Sequence, residues 1–293
     1  MSIKCFYHSA DLDGHCSGAI VKLKHPDCDM FGINYRDTFP WDNLKKDDLV
    51  YMVDFALQPF DDMVKLAGIV NLVWIDHHKS AIESWEKSKL YVDGLKGARC
   101  FDNSQAGCEL TWEYLFDTDV PRAVKLLSEY DVWNHSDADT LPFQFGLRMY
   151  ETHPNEQSLW MQLFEINGLN PLDQIIGEGT IILSYQATEN KKYCSACSFE
   201  TELDGLKCIA INKMLTNSQI FNSVWNPEEY DAMLSFGWRK GAWTVSLYSD
   251  KPGIDVSAIA KNRGGGGHKG AAGFQCKELP FKLRKAVEFG GEK

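Results

Sequence analysis

No apolar run in the chain approaches the roughly 18 residues that a membrane span needs; Ile69–Ile75 is among the longest. The N-terminal stretch MSIKCFYHSADLDG carries one Lys and then an apolar segment shorter than a signal-peptide core. A cytoplasmic protein that does not touch membrane is expected. Basic residues are also in deficit: 30 Lys and Arg stand against 41 Asp and Glu, a net charge of −11. A protein that grips long duplex nucleic acid neutralises phosphates with a basic surface. A long duplex is therefore excluded, whereas a short phosphorylated substrate held by local cations and metals is not. The nine cysteines are odd in number and scattered, which argues against a disulfide framework. Cys194 and Cys197 form a lone CxxC with no second pair nearby and are read as ordinary thiols. Low complexity and internal repeats are absent, and 293 residues suffice for two domains.

Strand-like and helix-like segments alternate in the first half. Ile3–Tyr7, Leu49–Val53 and Leu72–Ile75 are short apolar runs, with predicted helices over Gly14–Lys24 and from Pro59 to about Leu66. This alternation predicts an α/β fold with a parallel sheet and helices on both faces. Further helices are predicted over Gln105–Phe116, Pro121–Tyr130 and Gln174–Thr188. Beyond them Leu206–Ile211, Ala232–Phe236 and Trp243–Leu247 read as strands, and Val256–Lys261 as a helix before the run Gly264–Gly267. The expected domains are 1–190 and a smaller α/β unit over 191–293, with a cleft between them.

All three early strands stop at Asp or His. His8, Asp11 and Asp13 follow the first, Asp54 the second, and Asp76-His77-His78 the third; Asp131 ends a later helix-like segment. In open α/β sheets ligands bind beyond the carboxyl ends of the strands. An isolated DxDG is commonly a turn or helix cap, and Asp54 alone fits a similar role. Three strand ends with the same chemistry point instead to a metal site. Carboxylates with imidazoles suit a hard to borderline divalent ion, Mn2+ first, with Mg2+ or Co2+ as alternatives. Two such ions about 3.5–4 Å apart clamp a phosphoryl oxygen and activate water.

The triplet Asp76-His77-His78 with the upstream DxD resembles the DHH phosphoesterase superfamily. The C-terminal GGGGHKGAAGF resembles the glycine-rich signature of its DHHA1 subgroup. The motifs follow the family order from His8 to Phe274. The resemblance implies a DHH catalytic domain and a DHHA1-like substrate-binding domain. One metal would be held by His8, Asp11 and Asp54, and a second by Asp13, Asp54, His77 and Asp131, with Asp54 bridging. Asp76, His77 and His78 would be the catalytic triplet, Asp76 orienting a histidine and His78 facing the substrate phosphate. One departure concerns the spacing, since many members place three residues between the first histidine and aspartate. Here only Ser9 and Ala10 intervene, which makes His8 the least secure ligand.

Glycine lets backbone approach an anion closely. Gly264, Gly265, Gly266 and Gly267, flanked by Arg263 and His268, are read as the substrate-binding loop, although composition alone suggests a flexible linker. Ser104 is read as a site border or a helix cap, Trp133, Asn134 and His135 as packing around Asp131, and Tyr35 and Arg36 as a solvated turn. The expected activity is hydrolysis of short oligonucleotides or dinucleotides to nucleoside monophosphates. Cyclic dinucleotides, 3′-phosphoadenosine 5′-phosphate and polyphosphate are alternative substrates, and a homodimer is compatible. The rival from another class is a nucleotide-binding scaffold without catalysis.

Overall fold

The structure is a computed structural model that describes residues 2–35, 37–88, 104–166, 168 and 170–283. Arg36 lies outside the described residues. The chain divides into two compact units, Met1–Leu183 and Ser184–Lys293.

The first unit opens with β1 (Ile3–His8), α1 (Leu12–Lys24), β2 (Asp29–Ile33), β3 (Leu49–Val53), α2 (Asp61–Ile69), β4 (Asn71–Ile75) and α3 (Lys79–Ser88). Among the described residues its four strands are all parallel, in the order β2-β1-β3-β4. Alternation along each strand separates two cores. Cys5, Tyr7, Tyr51, Val53, Val73 and Ile75 pack with Val21 of α1 on one face. Phe6, Val50, Met52, Leu72 and Trp74 pack with Met63, Leu66 and Ala67 of α2 on the other. Helices therefore cover both faces, as the sequence predicts. The short β2, DMFGI, is the strand-like segment before Tyr35; its Asp and Gly dilute the strand signal, and pairing with β1 completes it.

Because β1 has β2 on one side and β3 on the other, the chain reverses direction across the sheet between β1 and β3. That crevice is the topological switch point, where such sheets bind ligands. His8 ends β1, and Asp54 directly follows β3.

Helices complete the unit: α4 (Gly107–Leu115), α5 (Arg122–Asp131), α6 (Thr140–Leu147), α7 (Gln157–Leu163) and the start of α8 (Leu172–Cys197). Ala19, Ile20, Trp112, Leu127, Phe143, Trp160 and Ile175 join them to α1 in a third core.

In the second unit β5 (Phe199–Leu203), β6 (Leu206–Ile211), β7 (Ala232–Arg239), β8 (Ala242–Tyr248), α9 (Val256–Lys261), β9 (Gly266–His268) and β10 (Ala271–Cys276) follow. The sheet order is β5-β6-β7-β8-β10-β9, antiparallel except for β6 with β7. The glycine run is not a free loop, because Gly266 and Gly267 pair with Gly273 and Ala272 of β10. Cys194 is buried, and its thiol donates to the Ile220 carbonyl, so it serves packing. No helix among the described residues is long and apolar enough to cross a membrane.

Trp74 ties the sheet to the turn after Asp54. Its ring is fully buried, and Nε1 donates to the Phe55 carbonyl at 3.0 Å. Trp74→Phe keeps most of the packing but leaves that carbonyl unpaired, an expected cost of about 1–3 kcal/mol. Trp74→Ala adds a cavity and should cost about 3–5 kcal/mol. Urea unfolding of the two variants checks the order; equal losses would contradict it.

Candidate metal centre

Each functional side chain is placed by the end of a regular element. Asp11 caps α1 with one oxygen, Oδ1, which accepts from the Gly14 amide at 2.9 Å. Its Oδ2 lies 2.9 Å from His8 Nδ1, so the cap and the ligand position coexist in one carboxylate. Two residues between His8 and Asp11 are thus enough to bring them together. Gly14 permits this, because a Cβ there would collide with the His8 carbonyl oxygen.

Asp54 is 1% exposed and adopts the left-handed region, φ 54°, which aspartate tolerates better than most residues. Its amide donates to the Ile75 carbonyl at 2.8 Å, carrying the β3–β4 ladder one residue past the strand. The carboxylate lies between two rings, with Oδ2 3.6 Å from His8 Nδ1 and Oδ1 3.4 Å from His77 Nε2. His77 Nε2 also lies 3.1 Å from Asp131 and 3.6 Å from Asp13. Three groups with ligand atoms mutually within 4.8 Å result: His8, Asp11 and Asp54; Asp13, His77 and Asp131; Asp54, His77 and His78. All six residues read as metal ligands from the sequence converge, with Asp54 and His77 each shared between groups.

His78 is held differently. Asp76 is fully buried, and its Oδ1 accepts the amides of His77 and His78 at 2.8 and 3.1 Å and faces His78 Nδ1 at 2.6 Å. One carboxylate oxygen therefore fixes both the backbone turn and the ring of His78.

Sequence reasoning missed the N-terminus of α4. Its cap residue, Ala106, supplies no side-chain acceptor. Asp13 acts from α1 instead, its two oxygens accepting the Gly107 and Cys108 amides at 2.9 and 2.7 Å. The exposed amides and dipole of a helix start favour an anion. A Cβ on Gly107 would lie 2.8 Å from Asp54 Cβ and 3.2 Å from Asp13 Oδ2, so only glycine fits. The small pair Ala106-Gly107 before an apolar helix was the available signal. Ser104 is not the cap.

Electrostatics set the histidines against the carboxylates. Burial alone would lower the pKa of His8, but Asp11 and Asp54 outweigh it and raise it to about 10. Burial likewise opposes protonation of His77, and Asp131, Asp54 and Asp13 raise it to about 11. Burial favours the neutral acid at Asp54, yet His77 and His8 hold it below the usual carboxylate range. Burial and the charges of Asp54 and Asp131 push Asp13 upward. Without metal, the cluster balances its charge with protons.

The residues fit divalent ions. His8 Nδ1, Asp54 Oδ1 and His77 Nε2 are buried and make no hydrogen bond of good geometry among the described residues, although opposite charges lie 2.9–3.6 Å away. A buried polar atom without a partner costs about 1–3 kcal/mol, and a cation among them would satisfy all three.

At the edges, Tyr35 sets its ring 5.7 Å from that of His8. Trp133 is 57% exposed rather than packed, and its ring lies tilted against His135 with centroids 4.4 Å apart. In the second unit, Gly264 to His268 form the approach to and body of edge strand β9. The Arg263 guanidinium donates twice to Asp204, at 2.7 and 2.5 Å, and lies over Phe274.

Two outcomes are expected. The raised histidine pKa values stabilise the metal-free fold fully below about pH 6.5. That contribution is lost as pH rises through about 10 and 11. Binding metal must displace the same protons, so calorimetry at pH 7 in buffers of different ionisation enthalpy should show release of about two protons per chain; none would contradict the charge balance. Gly107→Ala should weaken Mn2+ binding about 10- to 100-fold, and unchanged binding would show that α4 does not position the carboxylates.

No protein-family model matches the chain. An uncharacterized protein of Acanthamoeba polyphaga mimivirus is 27% identical over 261 residues, which cover 80% of this chain and 55% of that protein. The chain thus spans about half the length of the curated relative it matches. Among solved structures, a pGpG-specific phosphodiesterase from Vibrio cholerae superposes with a TM-score of 0.54 at 13% identity, over 94% of this chain and 93% of that one. The DHH domain of a protein described as belonging to a family of ribosomal proteins gives a TM-score of 0.58 at 15% identity, over 93% and 82%. At these identities the likeness is one of fold alone: the chain shares its fold with that DHH domain and that phosphodiesterase, and Asp76-His77-His78 stands beyond β4.

Proposed function

We propose that the chain is a metal-dependent phosphodiesterase that hydrolyses short oligonucleotides or dinucleotides to nucleoside monophosphates, using two divalent ions, Mn2+ first. The observation that carries this reading is the position of Asp54, one buried carboxylate within 3.6 Å of both His8 and His77, with a further set of ligands on either side. Bound there, a pair of ions would supply an activated water and neutralise charge on the phosphoryl group. His8, Asp11 and Asp54 would hold one ion; Asp13, Asp54, His77 and Asp131 the other.

The protein's own groups do the rest. His78 has Nδ1 engaged by Asp76. Burial alone would lower its pKa, but Asp76 and Asp54 raise it. In its protonated form the ring would offer a charge-assisted hydrogen bond to a phosphate oxygen. Donors fixed in advance stabilise charge that develops in the transition state. Gly264 to His268 on β9, with Arg263, remain the proposed second contact with substrate; Arg263 would have to leave Asp204 or bind while still paired with it. The net charge of −11 agrees with a short substrate rather than a polymer. The solved phosphodiesterase of like fold acts on pGpG by its description, which supports a dinucleotide.

The test is Mn2+-dependent turnover of pApA, a five-nucleotide RNA, cyclic di-AMP, 3′-phosphoadenosine 5′-phosphate and pyrophosphate. Release of nucleoside monophosphate from the short linear species is expected. His78→Ala should lower kcat about 100- to 1,000-fold while Mn2+ remains bound. Metal-loaded protein that cleaves none of the panel would move the reading to a nucleotide-binding scaffold.

A further inference from the structure

The last residue of α5 is Asp131, one of the carboxylates of the metal cluster, and the chain leaves that helix through an unusual turn. The Trp133 amide donates to the Tyr130 carbonyl at 3.2 Å, and the Asn134 amide to the Glu129 carbonyl at 2.8 Å. These are the paired bonds of a helix end that puts one residue in the left-handed region. Glycine ordinarily fills that position, because a residue with a Cβ is disfavoured there. Here it is a tryptophan, at φ 57°. Its ring gains little burial in return, for Trp133 is 57% exposed, and His135 is exposed beside it. The Trp133 centroid lies 4.4 Å from that of His135 and 5.8 Å from that of Tyr130. The rings of Tyr130 and His135 are themselves stacked, 5.8 Å apart and within 17° of parallel. A lone exposed ring is ordinary. Three together beside a metal ligand, one of them on a strained backbone, point to a surface kept for a ligand.

Resting on the phosphodiesterase reading, we propose that Trp133, backed by His135 and Tyr130, is the surface on which a nucleobase of the substrate stacks. The position favours a nucleotide over other ring-bearing ligands. Asp131 Oδ2 lies 3.1 Å from His77 Nε2, so the turn that carries Trp133 starts at the metal cluster. Asp11, Asp13, Asp131 and Tyr130 line one cavity of about 420 Å³, a size that accepts a nucleoside. The aromatic cluster therefore borders the same space as the metal ligands. Arg148 lines that space too, its guanidinium 5.6 Å from the Tyr130 centroid, and brings positive charge to a phosphorylated ligand. Stacking reads the face of a base rather than its edge, so the surface takes a base of any identity. Pyrophosphate and polyphosphate, which have no ring, gain nothing from it.

The test is equilibrium binding of adenosine 5′-monophosphate and of ribose 5-phosphate, which carries the same phosphate without a base, to the Mn2+-loaded full chain. The native protein should bind the nucleotide about tenfold more tightly. Glycine suits the left-handed turn, so Trp133→Gly should fold and hold Mn2+ as the native protein does. It should bind the two ligands alike. Native protein that does not distinguish them overturns the proposal, as does a Trp133→Gly protein that keeps the native preference. A Trp133→Gly protein that loses Mn2+ also overturns it, since the ring would then support Asp131 rather than bind a base. Preference for the nucleotide without hydrolysis of any dinucleotide keeps the stacking surface and removes the phosphodiesterase reading; hydrolysis without preference does the reverse.

Discussion

A carboxylate buried to 1% exposure is stable only where charge is brought to it, and Asp54 meets that condition from two sides. His8 and His77 flank it, and Asp11, Asp13 and Asp131 stand behind those rings. Removing an ion from water is expensive unless the surroundings compensate. The cluster holds acids and imidazoles at distances that protons satisfy in part and metal ions would satisfy fully. Every element around it serves that balance.

The sheet does so by topology. Strand order 2-1-3-4 opens a crevice between β1 and β3, and the residues that end those strands face it. The helices do so by their ends. Asp11 both starts α1 and faces His8, while α4 points its first amides at Asp13. Gly14 and Gly107 are the close approaches that make this possible, for at either one a Cβ would overlap its neighbour.

Much of this was legible in the sequence because it depends on local pattern. Short apolar runs stopping at His8, Asp54 and Asp76 identify strands, and strand ends are where α/β sheets bind. The histidines and carboxylates carry their chemistry in their side chains. What escaped reading depends on long-range contacts. The amides of Gly107 and Cys108 have no residue type that advertises them, and they meet Asp13 across more than ninety positions. Arg263 reads as a free cation near glycines, yet it pairs with Asp204, 59 positions earlier. Gly264 to Gly267 read as a loop, but Gly266 and Gly267 become strand through pairing with β10, a contact that composition does not encode.

The central claim is that Asp54 joins two metal positions. Equilibrium dialysis with Mn2+, followed by elemental analysis and electron paramagnetic resonance, tests it most directly. The account predicts two ions per chain with a spin-coupled signal, and Asp54→Asn should lose the coupling together with most of the affinity. One uncoupled ion per chain, or two that persist unchanged in Asp54→Asn, would contradict it.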